Sequence, residues 1–100
     1  MFLFNLKMNP KLPIHCPSCE SILQVAQLKC EHCNTSVGGN YALPIFLKLH
    51  QEEQDFMMQF FMTSGSLKEM AKQMGNSYPT IRNKLDDIIE KLRTLKEENL

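Results

Sequence analysis

The chain has 100 residues, 43% of them hydrophobic, which suffices for one ordinary domain or for two small units of which one needs support beyond its own core. Its 11 basic and 11 acidic side chains cancel, which excludes a strong overall field that would recruit nucleic acid or an acidic membrane. Any charged partner must therefore be bound by a local patch.

Residues 1–11 are an N-terminal extension that begins with the apolar run MFLFNLKM. This run is far shorter than the roughly 20 residues that cross a bilayer, and it lacks a preceding basic segment and a small-residue cleavage site. We therefore expect a cytoplasmic protein with no membrane partner. Met8 is an alternative translation start, because a more ordinary polar stretch begins there.

Two CxxC pairs lie in the segment from 12 to 43. Disulfides do not persist in a reducing compartment, whereas tetrahedral zinc takes four thiolates that two CxxC turns can supply. Iron in the same cage, thiol redox chemistry and unrelated buried cysteines remain open alternatives. The spacing predicts one structural Zn²⁺ with four ligands, Cys16, Cys19, Cys30 and Cys33.

Short extended segments flank the two pairs. SILQVAQLK alternates loosely between them, and SVGGNYALPIF follows with Gly38 and Gly39 as a turn or bulge. This order predicts a zinc ribbon over residues 12–43. So short a segment buries too little surface to fold alone, whereas structural zinc contributes on the order of 10–16 kcal/mol, so metal binding and folding are expected to be one equilibrium.

The turn residues of the two pairs differ from the usual pattern. Pro17 fixes the first turn and leaves the amides beyond it free to donate to the Cys16 sulfur. The residue after each pair often needs a positive φ, which glycine adopts most easily, yet Glu20 and Asn34 stand there. The first turn is therefore expected to be strained or to turn differently. His15 and His32 are interpreted as neighbours of the site and not as ligands.

From residue 50 the pattern becomes helical. QEEQDFMMQFFM predicts a first helix over 51–62, with acids in its first turn and Phe56, Met57, Phe60 and Phe61 on the packing side. Ser66 opens a short second helix as an S-x-x-E capping box, and Gly75 ends it. Ser77 caps a third helix that carries Pro79 in its first turn.

The second and third helices fit a helix-turn-helix. Ala71 lets two helices approach, Gly75 supplies the tight turn, and Ile81 packs the third helix against the second. This predicts a helix-turn-helix unit over residues 47–98. Many such units do not bind DNA, so the geometry alone leaves the partner open.

The start of the third helix carries the candidate DNA contacts. Thr80 and Asn83 point outward, Asn83 can bond adenine, and four cations are placed to meet phosphates. The Tyr78 hydroxyl either reaches a phosphate or packs half-buried. Acidic residues farther along the same face limit contact to the first turn and a half. The complete predicted set is Lys68, Lys72, Tyr78, Thr80, Arg82, Asn83 and Lys84.

The rest of the third helix predicts a dimer seam. Apolar residues recur in steps of four and three beyond what a three-helix core covers, so we expect Leu95 to face water unless a second chain covers it. The alternative is a solvated, frayed end, because two heptads are short for a coiled coil. The seam comprises Leu85, Ile88, Leu92 and Leu95.

The stretches CPSC, LKCEHC and SLKEMAKQMGNSYPTIRNKLDDIIEKL carry a family resemblance. Over about residues 12–93 the chain resembles a small bacterial family of unknown function, which joins an N-terminal zinc ribbon to a helix-turn-helix similar to region four of sigma factors. The resemblance implies an α+β fold with both parts, and it brings no activity with it.

Two functions follow as expectations. The first is a small DNA-binding transcription regulator, which a homodimer would strengthen. The second is a non-enzymatic adaptor that binds RNA polymerase, a sigma factor or another protein through the ribbon or the seam. An enzyme is not expected, because the sequence offers no Ser/His/Asp set, phosphate loop or evident pair of carboxylates, and no small-molecule substrate is evident.

Overall fold

The computed structural model describes residues 11–98 of the chain. The expectations for residues 1–10 lie outside this range. The chain divides into two compact units, the first ending at Ala42 and the second beginning at Leu43. A two-stranded sheet in the first and three helices in the second make the fold α+β, as predicted.

The first unit contains an antiparallel pair of strands, β1 (Val25–Lys29) and β2 (Ser36–Tyr41). Leu28 pairs with Val37, and the register shifts farther along, between the Val25 and Gln27 pairings. The irregularity lies at the two glycines. A side chain at Gly39 would be crowded there, since a Cβ would lie 2.8 Å from the Tyr41 ring. The sequence predicted a turn or bulge at these glycines, and the strand pairing is irregular there.

Apolar side chains of the first unit remain largely in contact with solvent. None of residues 11–42 is fully buried, and the cross-strand neighbours Leu28 and Val37 are both exposed. Hydrophobic burial is the dominant force that stabilises ordinary domains. This unit has little of it, so its shape depends on another interaction.

The second unit begins with a 3-10 helix, Ile45–Lys48, followed by α1 (Gln51–Met62), α2 (Leu67–Met74) and α3 (Tyr78–Glu98). The bounds of α1 are those predicted. The buried Leu43 and the 3-10 helix belong to this unit. The sequence had placed Leu43 at the end of the ribbon and had begun the helical unit at residue 47.

The helix ends follow the predicted capping chemistry, except that only the serine half of the box at Ser66 forms, because the Ser66 amide donates to the Thr63 carbonyl and not to the Glu69 side chain. Ser66 Oγ accepts a hydrogen bond of 3.1 Å from the Glu69 amide and starts α2. Gly75 ends that helix with a left-handed φ of 69°, which costs glycine nothing. Ser77 Oγ then accepts from the Thr80 amide at 3.3 Å at the start of α3.

All three helices contribute to one hydrophobic core. Ala71 and the fully buried Ile81 lie in it, as the helix-turn-helix pattern requires. Phe61, however, is 60% exposed, because it lies on the opposite side of α1 from the buried Phe56. The core comprises Leu49, Phe56, Met57, Leu67, Met70, Ala71, Ile81, Leu85, Ile88 and Leu95.

The predicted seam is part of this core. Leu85, Ile88 and Leu95 are buried within the chain itself, Leu95 being only 9% exposed, and Leu92 packs against them. The prediction that Leu95 would face water is therefore wrong. Leu95 belongs to the core that the helices share, and the 3-10 helix, which a core built from three helices alone did not include, also contacts α3.

Candidate metal centre and nucleic-acid interface

The two cysteine pairs lie in loops of matching geometry. Each loop is closed by a 2.8 Å hydrogen bond from the residue after the pair, Glu20 to the Cys16 carbonyl and Asn34 to the Cys30 carbonyl. A second 2.8 Å bond runs from the amide of the first cysteine to the carbonyl two positions beyond the pair. The two knuckles, residues 16–21 and 30–35, thus repeat one structure.

The residues that follow the two cysteine pairs, Glu20 and Asn34, have the same backbone conformation. Glu20 has φ 65° and Asn34 has φ 63°, so both adopt the left-handed conformation and the first knuckle turns as the second does. Such a conformation costs an L-residue about 1–2 kcal/mol, less for Asn, whose short polar side chain tolerates it. The expected strain therefore falls on Glu20.

Each pair holds a thiol whose pKa lies below its ordinary value. The Ser21 hydroxyl and amide, together with Cys16, hold the pKa of the Cys19 thiol below its ordinary value. Thr35 and Cys30 lower the pKa of the Cys33 thiol in the same way. Hydrogen bonds that favour a thiolate favour the form that binds metal.

Ser21 and Thr35 are functional residues that were not among the predicted site residues. Their signal is present in the sequence, since CPSCES and CEHCNT share the pattern C-x-x-C-x-[S/T]. The predicted amide donor beyond Pro17 is confirmed, because the Ser18 amide lies 3.3 Å from Cys16 Sγ.

The cysteines fit zinc by their chemistry. Four soft sulfur donors in two knuckles are the set that tetrahedral zinc takes. Across residues 11–98, no three His, Cys, Asp or Glu side chains form an assembled metal cage, so the thiols stand as two pairs. A single ion bound by both pairs would supply the cross-link that the first unit needs, because residues 11–42 form no buried hydrophobic core.

A second candidate site lies in the helical unit. A recess of about 710 Å³ opens between the start of α2 and the start of α3, and Lys68, Tyr78 and Arg82 line it together with residues 65–67. Three of the predicted DNA contacts thus border one concavity. The recess lies between the N-terminal ends of the two helices of the helix-turn-helix.

Family comparisons cover most of the chain. Residues 16–47 match the DUF2089 zinc ribbon, and residues 49–95 match the helix-turn-helix domain described as a domain of unknown function, DUF2089. Both models describe parts of one family. The chain belongs to the DUF2089 family. No curated protein and no solved structure matches this DUF2089 chain.

The match confirms the family resemblance and the zinc ribbon. This DUF2089 protein combines a ribbon, whose two cysteine pairs are consistent with one structural zinc, with a helix-turn-helix region. The helix-turn-helix supports nucleic-acid binding at that general level. None of the helices within residues 11–98 has the length and hydropathy needed to span a bilayer.

The remaining predicted DNA contacts of the DUF2089 helix-turn-helix have different surroundings. Thr80 Oγ1 lies 2.8 Å from Ser77 Oγ, which ties it into the cap of α3. Arg82 Nε lies 3.5 Å from Asp86 Oδ1 in an exposed pair. Lys84 Nζ lies 5.6 Å from the centroid of the Phe56 ring. Lys84 thus lies near α1, and its contact with DNA stays a prediction.

Two of the residues predicted to contact DNA have exposed side chains, Asn83 and Lys72. Asn83 is exposed on α3, and its side chain has no hydrogen-bond partner among the residues that the structure describes. Lys72 is exposed on α2, one turn after Lys68, so both amines lie on one side of that helix. The available set therefore consists of Lys68, Lys72, Tyr78, Arg82 and Asn83.

Proposed function

We propose that this protein is a small cytoplasmic transcription regulator that binds DNA through its helix-turn-helix. The observation that carries the proposal is the shared recess of Lys68, Tyr78 and Arg82. Two cations and a phenol provide the charge and the hydrogen bonds that a backbone phosphate accepts. The recess lies beside the first turn of α3, the part of a helix-turn-helix that enters the major groove.

Asn83 is the proposed base-reading residue. It is exposed one position beyond Arg82, and its amide can bond both N6 and N7 of adenine. The same helix carries Asp86, Asp87 and Glu90, all on its exposed surface, which repel phosphates. The proposal therefore limits the contact with DNA to the first turn and a half of α3.

Salt dependence tests the proposal. With Lys68, Lys72 and Arg82 as phosphate contacts, the plot of log affinity against log salt should have a slope of about −3 for one module. Lys68→Ala should reduce that slope by about 1 for every DNA sequence. Lys96→Ala, in the last turn of α3, is the control of equal charge and should change nothing.

Base reading has its own measurement. Asn83→Ala should weaken binding to a fragment selected from genomic DNA by about 1–3 kcal/mol and leave binding to random DNA unchanged. Equal effects on both fragments count against base reading. Absence of any binding near 50 mM salt would remove the DNA-binding proposal altogether.

We also propose that Cys16, Cys19, Cys30 and Cys33 bind one zinc ion with a purely structural role. The matching knuckles support this assignment. Elemental analysis of the purified chain should find about one zinc per chain, and Ser in place of any one cysteine should lower that content. Iron at the same stoichiometry would contradict the choice of metal.

The second candidate function is a non-enzymatic adaptor, and the exposed face of α1 favours it. Met58, Phe61 and Met62 lie on adjoining positions of that helix and are all exposed, Met62 at 77%. Such patches often mark protein-binding surfaces. The partners proposed are RNA polymerase, a sigma factor or a second copy of the chain, bound at this face instead of the buried seam.

Binding measurements separate the partners. A homodimer through this face should appear as a concentration-dependent mass in sedimentation and be lost in Phe61→Gln. A constant monomer mass would contradict it. Retention of purified RNA polymerase or sigma factor by the chain, lost in Phe61→Gln and kept in Lys68→Ala, would support the adaptor role over the regulator.

A further inference from the structure

The residue two positions after each cysteine pair contacts both cysteines of its knuckle. The Ser21 carbonyl accepts from the Cys16 amide at 2.8 Å, and Ser21 lowers the pKa of the Cys19 thiol below its ordinary value. Thr35 repeats the arrangement, with its carbonyl on the Cys30 amide and its Oγ1 2.9 Å from Cys33 Sγ. One residue thus links the two cysteines of each pair.

The direction of these hydrogen bonds depends on the state of the sulfur. A metal-bound thiolate has no proton, so the hydroxyl must be the donor when the site is loaded. Each such bond withdraws charge from a sulfur, and four thiolates around one divalent ion carry a net negative charge that such donors offset. Backbone amides do this in any knuckle, whereas a side-chain hydroxyl requires Ser or Thr at this position.

We propose that Ser21 and Thr35 are positioning residues of the zinc site, whose hydroxyls donate to the Cys19 and Cys33 thiolates and raise the affinity of the site for zinc. The inference rests on the proposed zinc ligands and goes beyond them. Both hydroxyls are on exposed residues, and Thr35 Oγ1 has Cys33 Sγ as its hydrogen-bond partner at 2.9 Å.

Substitutions at Thr35 test the proposal in the full chain. Thr35→Val keeps the shape and removes the donor, and it should weaken zinc affinity about tenfold in a chelator competition, the lower end of the usual effect of such partners. Thr35→Ser keeps the donor and should restore affinity. Ser21→Ala should act like Thr35→Val, and the double variant should lose more than either.

A spectroscopic measurement separates a direct effect on sulfur from a loss of fold. In the Co²⁺-loaded chain, removal of a hydrogen bond raises the energy of the sulfur lone pair, so the sulfur-to-metal charge-transfer band should move to longer wavelength in Thr35→Val and return in Thr35→Ser. A purely structural role would weaken binding without moving the band.

The outcomes also separate this inference from the metal site itself. If the natural chain bound no metal, the zinc ligands would be wrong. If it bound zinc tightly and Thr35→Val and Ser21→Ala matched it in affinity and in the Co²⁺ spectrum, the zinc site would stand and the proposed role of the hydroxyls would be refuted.

Discussion

The Lys84 ammonium lies 5.6 Å from the centroid of the buried Phe56 ring, so a cation of α3 contacts α1. A cation in this position gains about 0.5–1 kcal/mol from the ring. We therefore expect Lys84→Ala to lower the free energy of unfolding by about that amount in urea titrations, with no change in the salt dependence of DNA binding. Lys84→Arg should retain the stability, and a DNA salt slope reduced by about 1 in Lys84→Ala would contradict the assignment.

Leu95 should behave as a core residue. Its truncation leaves a cavity between α3 and the rest of the core, so Leu95→Ala is expected to lower the free energy of unfolding by about 2–4 kcal/mol. Met62→Ala is the exposed control and should change stability by less than about 0.5 kcal/mol. Equal stability of the two variants, with Leu95→Ala altering only the oligomeric mass, would restore the seam as a dimer surface.

Metal removal should affect the two units differently. None of residues 11–42 is fully buried, whereas the second unit has a continuous core. A strong zinc chelator is expected to abolish the dispersed amide signals of the ribbon and to leave the cooperative thermal transition of the helices in place. Added zinc should restore the ribbon signals. A ribbon that stays ordered in chelator would disprove the coupling of metal and fold.

Glu20→Gly should stabilise the metal-bound ribbon. Glycine adopts a φ of 65° without the penalty that Glu20 incurs, although it loses more entropy on folding, and the net gain is expected to be about 1 kcal/mol. Asn34→Gly should gain less, because asparagine tolerates this conformation. Both gains should appear in a chelator competition as a higher affinity for zinc. A lower affinity in Glu20→Gly would contradict the strain at Glu20.

Acid should weaken one contact between helices. Burial raises the pKa of Glu53, but hydrogen bonds from the Lys91 ammonium, at 2.9 Å, and from the His50 amide lower that pKa more, so it lies below its ordinary value. The unfolded chain then binds more protons between the folded pKa and about 4.3, and the contribution of Glu53 is complete above that window and lost as pH falls through it.

The size of this contribution is expected to be about 1 kcal/mol. Glu53→Gln should lower the free energy of unfolding of the helical unit by about that amount at pH 7 and by much less near pH 3. Glu97→Gln, on the exposed end of α3, is the matched control and should show no such pH dependence. An equal loss at both pH values would exclude the ion pair as its cause.

Local features of this protein were determined by the sequence alone. The bounds of α1, the caps at Ser66 and Gly75, and the packing of Ala71 and Ile81 follow from periodicity and capping within a few residues of each position. The two CxxC pairs likewise indicated zinc, because a ligand set of this kind depends on short spacing.

Long-range packing decided the rest. Whether Leu95 is surface or core depends on how α3 packs against residues distant in the chain, and whether Lys84 meets phosphate or a ring depends on the position of Phe56 in α1. The link from Thr35 to both cysteines of its knuckle needed the folded loop as well. Periodicity assigns a face to each side chain, but only the folded chain determines what covers that face.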